Sequence, residues 1–204
     1  MPASPKPSRA VPKAEELPVL ELADVSAWLG WLAQHHGSSR GVWIKLAKKQ
    51  ARSQGTSAFS YEQAVDGALC WGWIDGQKRT FDERAWLLKF TPRAARSLWS
   101  KINRKKALAL IARGDMRAPG LAEVERAQRD GRWDAAYDSP REMKLPDDFA
   151  AALALQPKAA EFFAKLNAAN RYAILWQLQT AKREDTRRKR ILLSIAMLAR
   201  RESA

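Results

Sequence analysis

The chain is short of the residues from which most catalytic and metal sites are built. Its 204 residues include one cysteine, Cys70, and two histidines, His35 and His36. One cysteine excludes an internal disulfide and every cysteine-rich zinc site. Adjacent histidines diverge on a helix, so His35 and His36 cannot form an i, i+4 metal pair; near a helix end they suit the dipole. Cys70 lies in Ala68-Leu69-Cys70-Trp71-Gly72 and reads as buried packing rather than as an activated thiol, which needs a base beside it. No GxxxxGK[ST] loop occurs, and no GxGxxG follows a strand. No apolar run approaches the ~20 residues that cross a bilayer, and Met1-Pro2-Ala3-Ser4-Pro5-Lys6-Pro7 has no signal-peptide core. The expectation is a soluble, cytoplasmic protein with no metal site and no cofactor, leaning away from an enzyme.

Two things are abundant. There are nine Trp, against three Tyr and six Phe, and 36 Lys and Arg face 22 Asp and Glu for a net charge of +14. Such charge attracts nucleic acid, anionic lipid or phosphorylated metabolites; the competing reading is an arginine-rich solvated surface. The charge is localised. Residues 78–106 carry ten basic and two acidic side chains, and residues 182–190 carry six and two.

Residues 1–14, rich in Pro, Ser and Lys, read as a disordered tail. A strand is expected at Leu17–Leu22. Asp24 then caps a helix carrying Trp28, Leu29, Trp31 and Leu32 to Gly37, and Gly41–Leu46 reads as a strand. Residues 50–59 are small and polar, as in a loop. Ser60-Tyr61-Glu62-Gln63 has capping-box form and opens a helix that Gly72 stops. Trp73-Ile74-Asp75 and Trp86–Phe90 form a hairpin turning near Thr80–Arg84. Helices follow over 97–112, with Leu98, Ile102, Leu108 and Ile111 apolar, and over 121–130 behind Pro119. A connector spans 132–141, and a three-helix unit follows from Pro146. The fold class is α+β: a mixed domain with a small, largely antiparallel sheet over 15–142, then a helical module over 143–204.

The densest chemistry is Leu69-Cys70-Trp71-Gly72-Trp73-Ile74-Asp75-Gly76, then Phe90-Thr91-Pro92-Arg93, then Ser97-Leu98-Trp99-Ser100-Lys101-Ile102-Asn103. Arg93 and Arg96 precede a helix whose first turn offers unpaired amides, and together these suit an anion. The Trp residues could stack a ring or sandwich a guanidinium; equally they could form the core, with the arginine stems covering it. Asp75 is expected to pair with Arg or Lys, or with backbone amides, or else to contact a ligand.

These segments resemble the YdeI/OmpD-associated, or bacteriocin-protection, family. So do Trp31-Leu32 with His35-His36 before Gly41-Val42-Trp43, Met116-Arg117-Ala118-Pro119-Gly120 before Gly131-Arg132-Trp133, and Phe162-Phe163 with Ala181-Lys182-Arg183 and Thr186–Ile191. The resemblance runs from about residue 17 to 201. It implies a stress-related accessory protein that protects against bacteriocins or cationic antimicrobials, and its name implies a porin partner.

Two functions stay open. One is a non-enzymatic binding protein whose basic, Trp-rich surface holds an anionic partner: nucleic acid, anionic lipid or a phosphorylated metabolite. The other is a small-molecule enzyme or sensor with a Trp- and Arg-lined pocket. The candidate ligand residues are Trp71, Trp73, Asp75, Arg93, Arg96, Trp99, Ser100 and Asn103. The candidate basic surface is Lys101, Arg104, Lys105, Lys106, Lys182, Arg183, Arg187, Arg188 and Arg190.

Overall fold

The computed structural model describes residues 17–48 and 60–201; the expected tail over 1–14 and the whole of the 50–59 loop lie outside them. The fold is α+β, with eight helices and one four-stranded sheet among the described residues. The chain divides into two compact units. The first holds the described residues up to Ala68 together with Trp73–Pro92; the second holds Leu69–Gly72 and the residues from Arg93 on.

In the first unit the order is β1 (Val19–Leu20), α1 (Val25–His35), β2 (Val42–Ala47), α2 (Tyr61–Cys70), β3 (Trp73–Thr80) and β4 (Ala85–Pro92). The strands lie β1-β2-β4-β3. The β1–β2 pair is parallel and the other two are antiparallel, so the sheet is mixed. Asp24 caps α1 as its spacing predicts, accepting from the Ala27 amide at 2.9 Å. The capping box before α2 closes in both directions: Ser60 Oγ accepts from the Gln63 amide at 3.1 Å, and Gln63 Oε1 accepts from the Ser60 amide at 2.8 Å. The hairpin turn is held by Asp82 Oδ1, which accepts from the amides of Arg84 and Ala85.

Strand alternation then sorts the side chains. Val42, Ile44 and Leu46 pair with Phe90, Leu88 and Trp86 in register, forming one apolar face under α1 and α2. Trp28 is fully buried there, 5.4 Å from Phe90 and stacked at 5.5 Å on Trp31, and Trp73 meets both tryptophans edge-on. The indole N–H of Trp28 donates to the Ala64 carbonyl, and that of Trp73 to the His36 carbonyl, so neither buried donor is left unpaired.

In the second unit, α3 (Lys101–Ala112) and α4 (Ala118–Arg129) are followed by α5 (Asp147–Ala154), α6 (Pro157–Lys165), α7 (Ala168–Gln179) and α8 (Glu184–Ala199). Residues beyond Pro146 therefore form four helices, not three. Pro157 brings no N–H and disfavours the α conformation at Gln156, so the run from Phe149 to Leu166 splits there, with Pro157 in the first turn of α6. Phe149, Leu153, Phe163, Ile174, Leu175, Leu178 and Leu198 make their core.

The helix expected from Ser97 begins at Lys101. Ser97 Oγ instead accepts from the Ala94 amide at 3.0 Å, closing a turn, and Ser100 is the cap, accepting from the Asn103 amide. The backbone at Ser100 also bridges to Tyr137, which holds the chain extended up to the cap. The buried face of α3 is Ala107 and Leu110, whereas Ile102, Leu108 and Ile111 of the expected stripe are exposed.

Two helical glycines predict opposite responses. A Cβ on Gly120 would lie 2.4 Å from the Cys70 carbonyl oxygen, whereas one on Gly30 meets nothing within 4 Å. Gly120→Ala should cost about 2–3 kcal/mol through overpacking against fixed backbone. Gly30→Ala should stabilise by about 0.5–1 kcal/mol through helix propensity. Thermal and urea denaturation of the two variants checks both signs.

Candidate functional site

The sequence-predicted ligand residues divide between the two units. In the first, Trp73 is 1% exposed and belongs to the aromatic core, the packing alternative of the sequence reading. Asp75 is half-buried and accepts from the Tyr61 hydroxyl at 3.0 Å, a phenol in place of the cation or amide expected. The two cations that follow it lie on aromatic rings: Lys78 Nζ sits 3.7 Å from the centre of Trp86, and the Arg79 guanidinium 4.2 Å from that of Trp43.

In the second unit, residues 94–99 have no regular structure, so their carbonyls need outside donors. Arginines supply them. Arg93 Nη1 donates to the Leu98 carbonyl at 3.2 Å, Arg126 Nη2 to that of Ala94 at 3.2 Å, and Arg132 Nη1 to that of Ser97 at 2.7 Å. Arg93 and Arg132 are 5% and 3% exposed. The Arg93 guanidinium lies flat at 3.7 Å over Trp99, whose own ring meets Trp133 at 4.9 Å. Glu123 pairs with Arg126; burial pushes its carboxyl up despite the pull of Arg126, Arg93 and Arg132. Arg93 is thus built into the fold rather than set at a helix start, and Ser100 and Asn103 are the two ends of a cap. Trp71 is half-buried and Arg96 is exposed.

The basic candidates also separate by what they bind. Arg104 donates to the Trp133 carbonyl, Arg190 to the Gln177 carbonyl, and Arg187 to the Leu178 carbonyl at 2.8 Å. Arg187 also grips Asp148 with two bonds of 2.6 and 2.8 Å. Lys101 pairs with Asp138, Arg188 with Glu184, and Arg183 with Asp185 at 3.7 Å. Lys105 and Lys182 are exposed, and Lys106 is half-buried.

One consequence was not readable from the sequence. Tyr137 packs edge-on against Trp176, the Tyr172 hydroxyl donates to the Asp138 carbonyl, and Gln179 Nε2 donates to the Asp138 carboxylate. These contacts dock the connector on α7 and open a cleft of about 590 Å³. Lys101 from the first basic cluster and Arg187 from the second both line it, with Lys144, Glu142, Met143 and Leu145 between. The hydrogen bond from Lys101, and then that from Gln179, hold the Asp138 carboxyl below the usual range despite desolvation. Asp138, Lys144 and Gln179 carry no motif; only the docking of Tyr137 gives them a common wall.

An aromatic-cored α+β unit and a helical unit rich in internally bonded arginine define the class of protein. Residues 20–123 match the model of a domain of unknown function (DUF8412). That match covers just over half of the chain, which belongs to this family. Residues 142–201 match the model of the bacteriocin-protection, YdeI or OmpD-associated family, the family indicated by the sequence motifs. No curated protein and no solved structure matches the chain. No described helix is long and apolar enough to cross a membrane.

The Asp148–Arg187 pair yields a pH prediction. The Arg187 hydrogen bonds hold the Asp148 carboxyl below its usual value, outweighing desolvation. Its contribution is therefore present above the unfolded aspartate pKa of about 3.9 and fades as pH falls through the lower folded value. The carboxylate is 45% exposed, so solvent screening limits the pair to about 1 kcal/mol. Asp148→Asn should lower the melting temperature at pH 7 and converge with the native protein near pH 2. Arg187→Ala should cost more, about 2 kcal/mol, because the Leu178 carbonyl also loses its donor.

Proposed function

We propose that the chain is a non-enzymatic accessory protein of bacteriocin or cationic-antimicrobial protection, and that it binds an anionic partner. One observation carries this reading. After the arginines that bind carbonyls and the paired lysines are set aside, a set of exposed cations remains that forms no ion pair with the described residues, among them Arg96, Lys105, Lys144, Lys182 and Lys189, with Arg117, Arg129, Arg141, Lys158 and Arg201. These ten lie in the second unit, and Arg84 adds one in the first. Charge without an internal partner is available to an external one. Protection is the activity in the name of the family matched at 142–201. Of the original ligand residues, Arg96 is the one this reading keeps as a contact.

The cleft of about 590 Å³ favours a second reading, a sensor of a small anionic metabolite. Lys144, which forms no ion pair with the described residues, would meet the anion, and Met143 and Leu145 its apolar part.

Salt dependence separates the readings. A polyanion that neutralises several lysines releases counterions, so log affinity falls with log salt by about 0.9 per contact on duplex DNA. Binding of labelled duplex DNA and of phosphatidylglycerol vesicles should therefore weaken steeply above ~50 mM salt. Lys105→Glu combined with Lys189→Glu should reduce the slope by about two contacts. A small-metabolite sensor would instead show a thermal shift with one phosphorylated compound, abolished by Lys144→Glu and indifferent to Lys189→Glu. Absence of binding to DNA, to vesicles and to phosphorylated metabolites at low salt would remove both.

A further inference from the structure

Helix α8 has two faces with opposite assignments. Ile191, Ser194, Ile195 and Leu198 pack inward against α5, α6 and α7. The outward face carries Leu192 and Leu193, which are 70% and 60% exposed, and Ala196. At 3.6 residues per turn these three lie within about 100° of the helix circumference. Exposed Lys189 lies one turn before Leu193, and exposed Arg200 one turn after Ala196. Arg188, also exposed, stands beside them and is paired with Glu184.

Two neighbouring leucines on a solvent face, with a cation one turn to either side, set a specific demand on a partner. Nucleic acid would satisfy the cations but offers phosphate and sugar where the leucines lie. A bilayer surface with anionic headgroups satisfies both: headgroup phosphates meet the cations, and the shallow acyl region takes the leucines. Basic side chains next to such a surface add to the attraction, and their aliphatic stems lie along the apolar layer. We propose that the outward face of α8 docks on an anionic lipid surface, inserting Leu192 and Leu193 between headgroups. This rests on the anionic-partner reading above and names the partner class.

The test uses the full chain and sedimentation with large vesicles, either mixed phosphatidylglycerol and phosphatidylcholine or phosphatidylcholine alone. Binding is expected to the mixed vesicles and not to the neutral ones. Leu192→Ser with Leu193→Ser should weaken it about tenfold or more, because the apolar contribution is lost, with unchanged circular dichroism since both side chains are exposed. Leu192→Met with Leu193→Met should retain it. Lys189→Glu should weaken it and reduce its salt dependence. Vesicle binding that the double-serine variant leaves unchanged overturns the insertion while keeping the anionic-partner reading. Binding to duplex DNA without binding to vesicles does the same. No binding to either overturns both.

Discussion

Arginine donating to main-chain carbonyl oxygen is the interaction on which the second unit depends. At several places where its backbone leaves regular structure, a guanidinium reaches in: Arg93, Arg126 and Arg132 to residues 94–98, Arg104 to Trp133, Arg171 to Ala164 and Leu166, and Arg187 and Arg190 to the end of α7. Carbonyls at a helix end or in a loop cannot be left buried without a donor. A forked, permanently charged donor on a long stem serves several of them at once. Arg93 and Arg132 are buried in doing so, and the others commit donors to carbonyls, so counting all of them as available positive charge overstates what a partner meets.

Tryptophan does comparable work in the first unit. Trp28, Trp31 and Trp73 form one cluster over the sheet, and the indole donors of Trp28 and Trp73 end on carbonyls of nearby segments. Gly67 permits this closeness, because a Cβ there would lie 2.9 Å from the Trp28 ring. The abundance of tryptophan is largely a packing property, and the cations laid on Trp43 and Trp86 extend it to the sheet surface. In both units, the features that look most like a binding site in the sequence are the ones that build the fold. The exposed charge without an internal ion pair is plainer, and it includes lysines of the second unit such as Lys105, Lys182 and Lys189.

Much of the fold was legible because its determinants are local. Asp24, the Ser60–Gln63 box, Gly72 and Pro119 act within a few residues of their own positions, and each helix and strand they bound lies close to its expected place. The start of α3 lies later than its local sequence indicates because Tyr137, 37 residues beyond Ser100, pairs with the chain at the cap. The exposed stripe of α3 was misjudged for a related reason: Ile102, Leu108 and Ile111 repeat as a core face should, but which face is buried depends on the neighbour, not on the period.

The candidate site divides along the same line. Residue types and their clustering determined that the chain is cationic in two places, has an α+β order of elements, and lacks a metal or nucleotide motif of familiar form. Only the tertiary structure decided which cations are internal, because a carbonyl acceptor has no residue identity and leaves no mark in the sequence. It also brought Lys101 and Arg187, far apart along the chain, to the walls of one cleft, and it turned Leu192 and Leu193 outward while Leu198 went in. Burial is a property of what a helix packs against, and that is settled by contacts between distant segments rather than by the order of residues within one.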